Sequence, residues 1–217
     1  MYPRVKICCI SSVNEAAIAV KYGASALGLV GKMPSGPGVI SDTLIREIAA
    51  GAPPAVATFL LTSETGAGGI IAHHDLTRTN TLQLVDYPDE QVYRELRAQL
   101  PAIKLVQVVH VLDEKDIELA QRAATYVDAL LLDSGNPNLE IKILGGTGNV
   151  HNWKISRMIR ESVKLPVFLA GGLNAGNVRR AMDEVGPYGL DLCSSVRTGG
   201  KLDEKKLGEF FNEIYRA

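Results

Sequence analysis

Eight short apolar runs rich in β-branched residues alternate with eight stretches of helical periodicity from one end of the chain to the other. The runs fall at residues 5–10, 26–30, 55–61, 81–85, 103–109, 129–133, 166–170 and 189–193. The helical stretches lie at 13–21, 41–49, 64–74, 89–99, 114–124, 152–161, 174–184 and 202–216. Strict alternation of this kind builds a parallel sheet, since each helix returns the chain to start the next strand in the same direction. Eight units is the closing number of a (β/α)8 TIM barrel, an α/β fold. A doubly wound open sheet is the rival. It would carry a Gly-x-Gly-x-x-Gly turn after its first strand, where this chain reads Cys8-Cys-Ile-Ser-Ser-Val13. No composition shift marks a boundary, so the expectation is a single barrel domain over residues 1–217.

Length is concentrated on one rim. Glycine-rich loops at 31–40 and 134–150 both follow strands, the side on which barrel enzymes place their sites. The bulk chemistry narrows the partners. Lys plus Arg number 23 against 24 Asp plus Glu, a net charge of -1, so no basic footprint points to nucleic acid or an acidic membrane surface. No stretch approaches the roughly 18 apolar residues of a membrane span. The cysteines Cys8, Cys9 and Cys193 are an odd set with two adjacent, which implies no disulfide framework and fits a reducing, cytoplasmic setting. Monomer and homodimer both remain open.

The last two strands each stop at small residues: Gly171 and Gly172 in one case, Ser194 and Ser195 in the other. Bare amides side by side favour an anion, and in barrels of this type the loops after strands 7 and 8 often hold a sugar phosphate. Cys8 ends the first strand, and with alternating side chains it shares the interior face with Lys6 while Ile7 and Cys9 point to the helices. It is either an inert buried residue or, in an electropositive setting, a base. Asp133 closes strand 6, either as a turn former with Ser134 and Gly135 or as a poorly solvated carboxyl suited to a general acid. Facing each other across the mouth, the two would suit proton shuttling at a sugar carbon. Lys6 and Asp191 occupy neighbouring strands in a closed barrel and should form a buried polar pair, with Gln83 in the same layer. Gly146, Thr147 and Gly148 form an amide-rich loop. His73 and His74 lack metal-ligand spacing and read as a solvated helix face.

Taken together, Lys6-Ile-Cys8, Leu82-Gln-Leu84, Leu131-Leu-Asp133, Gly145-Gly-Thr-Gly148 with Trp153, Leu169-Ala-Gly-Gly-Leu-Asn174, and Gly189-Leu-Asp191 with Ser194 resemble the phosphoribosylanthranilate isomerase family. The resemblance spans the chain. It implies a (β/α)8 barrel that performs an Amadori rearrangement of a phosphosugar amine in tryptophan biosynthesis, with no cofactor and no metal. It also implies roles: Asp133 as general acid on the ring oxygen, Cys8 as general base at C2′, and phosphate on the amides of Gly171, Gly172, Ser194 and Ser195. Lys6, Gln83, Gly146, Thr147, Gly148 and Asp191 would complete the substrate site. Several departures stand out. Cys9 replaces the family's usual glycine, and Gly36-Pro-Gly38 stands where an arginine commonly meets the anthranilate carboxylate. Lys32 and Arg197 are the candidate substitutes, although a lysine offers a point charge rather than a fork. Two alternatives stay open: an isomerase of another phosphosugar amine, and a phosphate-binding barrel without catalysis.

Overall fold

The computed structural model describes residues 2–34, 36–135 and 152–216. Eight parallel strands close on themselves in chain order: β1 (Arg4–Ile7), β2 (Ala26–Val30), β3 (Ala57–Thr62), β4 (Thr81–Leu84), β5 (Lys104–His110), β6 (Ala129–Asp133), β7 (Val167–Leu169) and β8 (Gly189–Leu192). Closure is made by β8 pairing with β1, with Lys6 opposite Asp191 and Ile7 opposite Leu192. Helices α1 (Val13–Tyr22), α2 (Asp42–Gly51), α3 (Ala67–Thr77), α4 (Glu90–Gln99), α5 (Lys115–Ala123), α6 (Trp153–Ser162), α7 (Val178–Val185) and α8 (Glu204–Tyr215) follow their strands. No helix among the described residues is long and apolar enough to cross a membrane.

The period of two in each strand sorts its side chains between two cores. Ile7, Leu27, Leu29, Leu60, Leu82, Leu105, Leu130, Leu169 and Leu190 point outward into a continuous apolar layer with the helices. Val30, Phe59, Leu61, Val106, Val108, Leu131 and Phe168 fill the interior with Cys8. Helix ends follow local chemistry. Ser12 caps α1 by accepting from the Glu15 amide at 3.1 Å, and α1 stops at Gly23, which is left-handed at φ 110°. Asn152 caps α6 in the same manner, accepting from the Lys154 amide.

Four local expectations are corrected. β1 stops at Ile7 rather than residue 10, because Cys9 adopts φ 61° and breaks the alternation. Cys9 therefore joins the interior group instead of the helix layer. α3 begins three residues later than its periodicity suggests: Thr62 Oγ1 accepts from the Glu64 amide and holds that segment in a turn, leaving Gly66 as the N-cap. His73 and His74 are not a solvated face. The His74 ring is buried against the Thr79 carbonyl at 2.9 Å, and His73 contacts Thr62 and Asp42. After β8 a short helical turn (Ser194–Val196) and a two-residue hairpin, β9 (Arg197–Thr198) with β10 (Lys201–Leu202), precede α8.

Candidate active site

At the C-terminal mouth of the barrel a pocket of about 230 Å³ is lined from the ends of seven strands, with Val30 of β2 and Leu61 of β3 among its walls. Cys8 and Cys9 come from the end of β1, Gln83 from β4, Asp133 from β6, Gly171 and Gly172 from the end of β7, and Ser194 and Ser195 from the turn after β8. The 31–40 loop adds Met33, Gly36 and Pro37. Residues from both ends of the chain meet here because barrel closure brings β8 beside β1.

Below the pocket lies a charged layer. Lys6 is wholly buried and its Nζ donates to Asp191 Oδ1 at 2.9 Å, as the strand register predicts. The same ammonium sits 5.4 Å from the centroid of the Phe59 ring, which meets Phe168 edge-on at 6.0 Å and forms an apolar floor. Burial works against the charge of Lys6, but the Asp191 carboxylate and the neighbouring Cys8 outweigh it, so its pKa lies above the ordinary value. Gly28 makes this packing possible. A Cβ there would lie 2.8 Å from Cys8 Sγ and 3.0 Å from Lys6 Nζ.

The two candidate proton carriers are displaced in opposite senses. A hydrogen bond from Cys9 lowers the pKa of the Cys8 thiol; burial opposes that shift and the Lys6 charge assists it. Asp133 is raised to about 6, first by burial, with the Ser134 amide pulling it back and the negative charge of Cys8 adding to the rise. Ser134 donates to Asp133 Oδ1 at 2.7 Å, which fixes the orientation of the carboxyl. Burial alone would push both groups toward their neutral forms. Lys6 lowers both groups; it is the Cys9 hydrogen bond on one side and the burial of Asp133 on the other that displace them in opposite senses.

The anion end is built from backbone. Gly171 (φ 77°) and Gly172 (φ 63°) both occupy the left-handed region, which a side chain would strain. Asn174 and Asn177 each donate a side-chain N–H to the Gly172 carbonyl, at 3.1 and 2.9 Å. These bonds tie down the carbonyl side of the turn. The amides of Gly171 and Gly172 donate to no backbone carbonyl among the described residues. Two buried side-chain atoms of pocket-lining residues, Ser195 Oγ and Gln83 Oε1, likewise have no partner among the described residues.

The remaining expected residues divide. Lys32 is exposed and does not line the pocket. Arg197 is committed elsewhere: its guanidinium pairs with Glu15 at 3.1 Å and donates to the carbonyls of Cys8 and Cys9. It clamps the end of β1 instead of offering a free cation. Gly146, Thr147 and Gly148 lie outside the described residues. Asn177, Cys9 and Cys193 were not anticipated as site residues, although the spacing Asn174-x-x-Asn177 after two glycines was a readable turn signal.

A closed eight-stranded barrel with a thiol and a buried carboxyl at the C-terminal ends of its strands defines the class of (β/α)8 barrels with a pocket on the rim where such enzymes place their sites. The chain matches the profile of N-(5'phosphoribosyl)anthranilate (PRA) isomerase over residues 5–213. It is 31% identical over 212 residues to the N-(5'-phosphoribosyl)anthranilate isomerase of Methanocella arvoryzae, covering 97% of each chain. The crystal structure of phosphoribosyl anthranilate isomerase from Thermotoga maritima superposes with a TM-score of 0.82 at 29% identity, with 98% of each chain covered. A phosphoribosyl anthranilate isomerase bound to reduced 1-(o-carboxyphenylamino)-1-deoxyribulose 5-phosphate gives 0.79 at 26% identity, again with 98% of each covered. The chain belongs to the phosphoribosylanthranilate isomerase family.

Proposed function

We propose that this protein isomerises N-(5'-phosphoribosyl)anthranilate, a step of tryptophan biosynthesis, with Asp133 as general acid and Cys8 as general base. The observation that carries these roles is the opposite displacement of the two groups within one pocket: a lowered thiol and a buried carboxyl raised to about 6. Phosphate on the amides of Gly171, Gly172, Ser194 and Ser195 orients the ribose between them. Asp133 donates its proton to the ring oxygen as the bond from C1′ to that oxygen breaks, and the amine nitrogen supplies the electrons that form the Schiff base. Cys8 thiolate then removes the proton from C2′, and those electrons neutralise the imine to give an enol-amine. Tautomerisation yields the 1-deoxy-ribulose product. A proton passed from Cys8 back to Asp133 resets the pair. The protein acts in the cytoplasm, as a monomer or a homodimer.

Conversion of phosphoribosylanthranilate by the purified protein tests the reading. Cys8→Ser and Asp133→Asn should each lose on the order of 10²–10⁴-fold in kcat. Phosphate binding without turnover in the wild type would sink it in favour of a non-catalytic barrel. A second reading, an isomerase of another phosphosugar amine, is favoured by one observation. Met33, Gly36 and Pro37 line the pocket where the family's arginine commonly stands, and Arg197 is engaged by Glu15. Equal turnover of a substrate analogue lacking the carboxylate would select that reading.

A further inference from the structure

Two of the three thiols in the pocket take no part in the proposed chemistry. Cys9 Sγ and Cys193 Sγ lie 2.7 Å apart although the residues are separated by 184 positions. Both line the same pocket as Cys8. The backbone beneath them is held in register: Ile7 pairs with Leu192 and the Cys8 amide donates to the Leu192 carbonyl at 2.7 Å, so Cys193 follows at the level of Cys8, one residue before Cys9, whose left-handed backbone breaks the strand's alternation. Cys9 keeps a side chain at φ 61°, where glycine would sit without strain. Cys9 is buried, while Cys193 is half-buried and open to a small reagent entering the pocket.

We propose that Cys9 and Cys193 form a reversible oxidation site, at which a low-molecular-weight disulfide converts the two thiols into an intrachain disulfide that turns the enzyme down. The Cys193 thiolate attacks one sulfur of the reagent and expels the first small thiolate. Cys9 gives its proton to solvent and attacks Cys193 Sγ, which expels the second. Two protein thiols are oxidised and one small disulfide is reduced to two thiols, the protons ending on them. The bonded S–S distance of about 2.05 Å needs only a slight side-chain rotation from the present contact. The consequence reaches Cys8. Cys9 and Cys8 line one pocket, and oxidation removes the Cys9 proton that now points to the Pro37 carbonyl and helps to hold the Cys8 pKa down. Each pKa unit regained by Cys8 above the working pH removes about tenfold of its thiolate. The link also ties the base of the Ser194–Ser195 cradle to β1.

The turn-down rests on the proposed role of Cys8, but the cross-link does not, so the test reads them separately. The full-length protein is treated with 2-hydroxyethyl disulfide, freed of reagent and digested with trypsin without reduction. A disulfide should join the peptide of residues 7–21 to that of residues 181–197. Cys8→Ser should still form it, while Cys9→Ser and Cys193→Ser should not. Turnover of phosphoribosylanthranilate should fall at least about tenfold in the treated wild type and return with dithiothreitol. The reagent can also reach the Cys8 thiolate, so turnover is read on the fraction whose intact mass carries no reagent adduct: that fraction should lose turnover in the wild type and keep it in Cys193→Ser. Absence of the linked peptide, or a link that requires Cys8, overturns the site. A link that leaves turnover unchanged, or an equal loss in adduct-free Cys193→Ser, overturns the turn-down.

Discussion

Asp133 and Cys8 set the pH behaviour of the pocket. The proposed mechanism needs the carboxyl protonated and the thiol ionised, so kcat/KM should follow a bell whose limbs lie at the two pKa values, one of them near pH 6 where Asp133 titrates. A profile flat through that region would remove Asp133 as the acid. The same displacement acts on stability. The folded protein holds the Asp133 proton more tightly than the unfolded chain does, where the pKa is about 3.9. Stability is therefore lost as pH rises from about 4 through about 6, and at pH 7 the ionised buried carboxyl costs about 3 kcal/mol. Asp133→Asn should thus lose activity yet melt roughly 6–12 °C higher at pH 7, a gain that vanishes near pH 4 in calorimetry. Only part of this was legible in the residues. An aspartate at the end of an apolar strand announces burial, but the thiol that adds to its shift comes from residue 8. Arg197 is the converse case. It reads as a free cation until Glu15, 182 residues away, is seen to claim it.

At the scale of elements, the strands β2 and β6 coincide with their apolar runs because each is buried along its whole length and bounded by turn residues. The end of β1 was not legible, since a left-handed Cys9 has no sequence signature of its own. Nor was the β9–β10 hairpin, whose strands of two residues each carry no period. The pairing of β1 with β2 shows how an element positions a functional atom. Gly28 leaves the gap that Cys8 Sγ and Lys6 Nζ fill. Gly28→Ala would put a methyl group into that gap beside the thiol and the ammonium, and a misplacement of about 1 Å at a reacting group costs on the order of 10²-fold. The variant should lose kcat by about that factor while KM, which the proposed phosphate contacts of Gly171, Gly172, Ser194 and Ser195 would carry, changes little. An unchanged kcat would mean that the thiol has room to move without consequence.

The whole molecule is a ring, and Lys6 with Asp191 marks where the first strand meets the last. Lys6→Met should break this pair in the costly way, by leaving a carboxylate buried without its counter-charge; the expected loss is about 3–5 kcal/mol at pH 7. Protonation of Asp191 relieves that charge, so the loss should shrink as pH falls, opposite in trend to a simple packing defect. Removing both charges is a different matter. Lys6→Met with Asp191→Leu replaces two desolvated ions by apolar volume above the Phe59–Phe168 floor, and such replacements are often neutral or stabilising. Denaturant unfolding of the two single variants and the double should therefore show strong coupling, with the double near or above the wild type in stability. Its turnover should fall nonetheless, because Cys8 loses the ammonium that helps to hold its proton off. Additive losses in the double variant would mean that the pair closes the barrel. A stable but slow double variant would mean that the charges are kept for the pocket above them, and that hydrogen bonding and the two apolar layers suffice to close the ring.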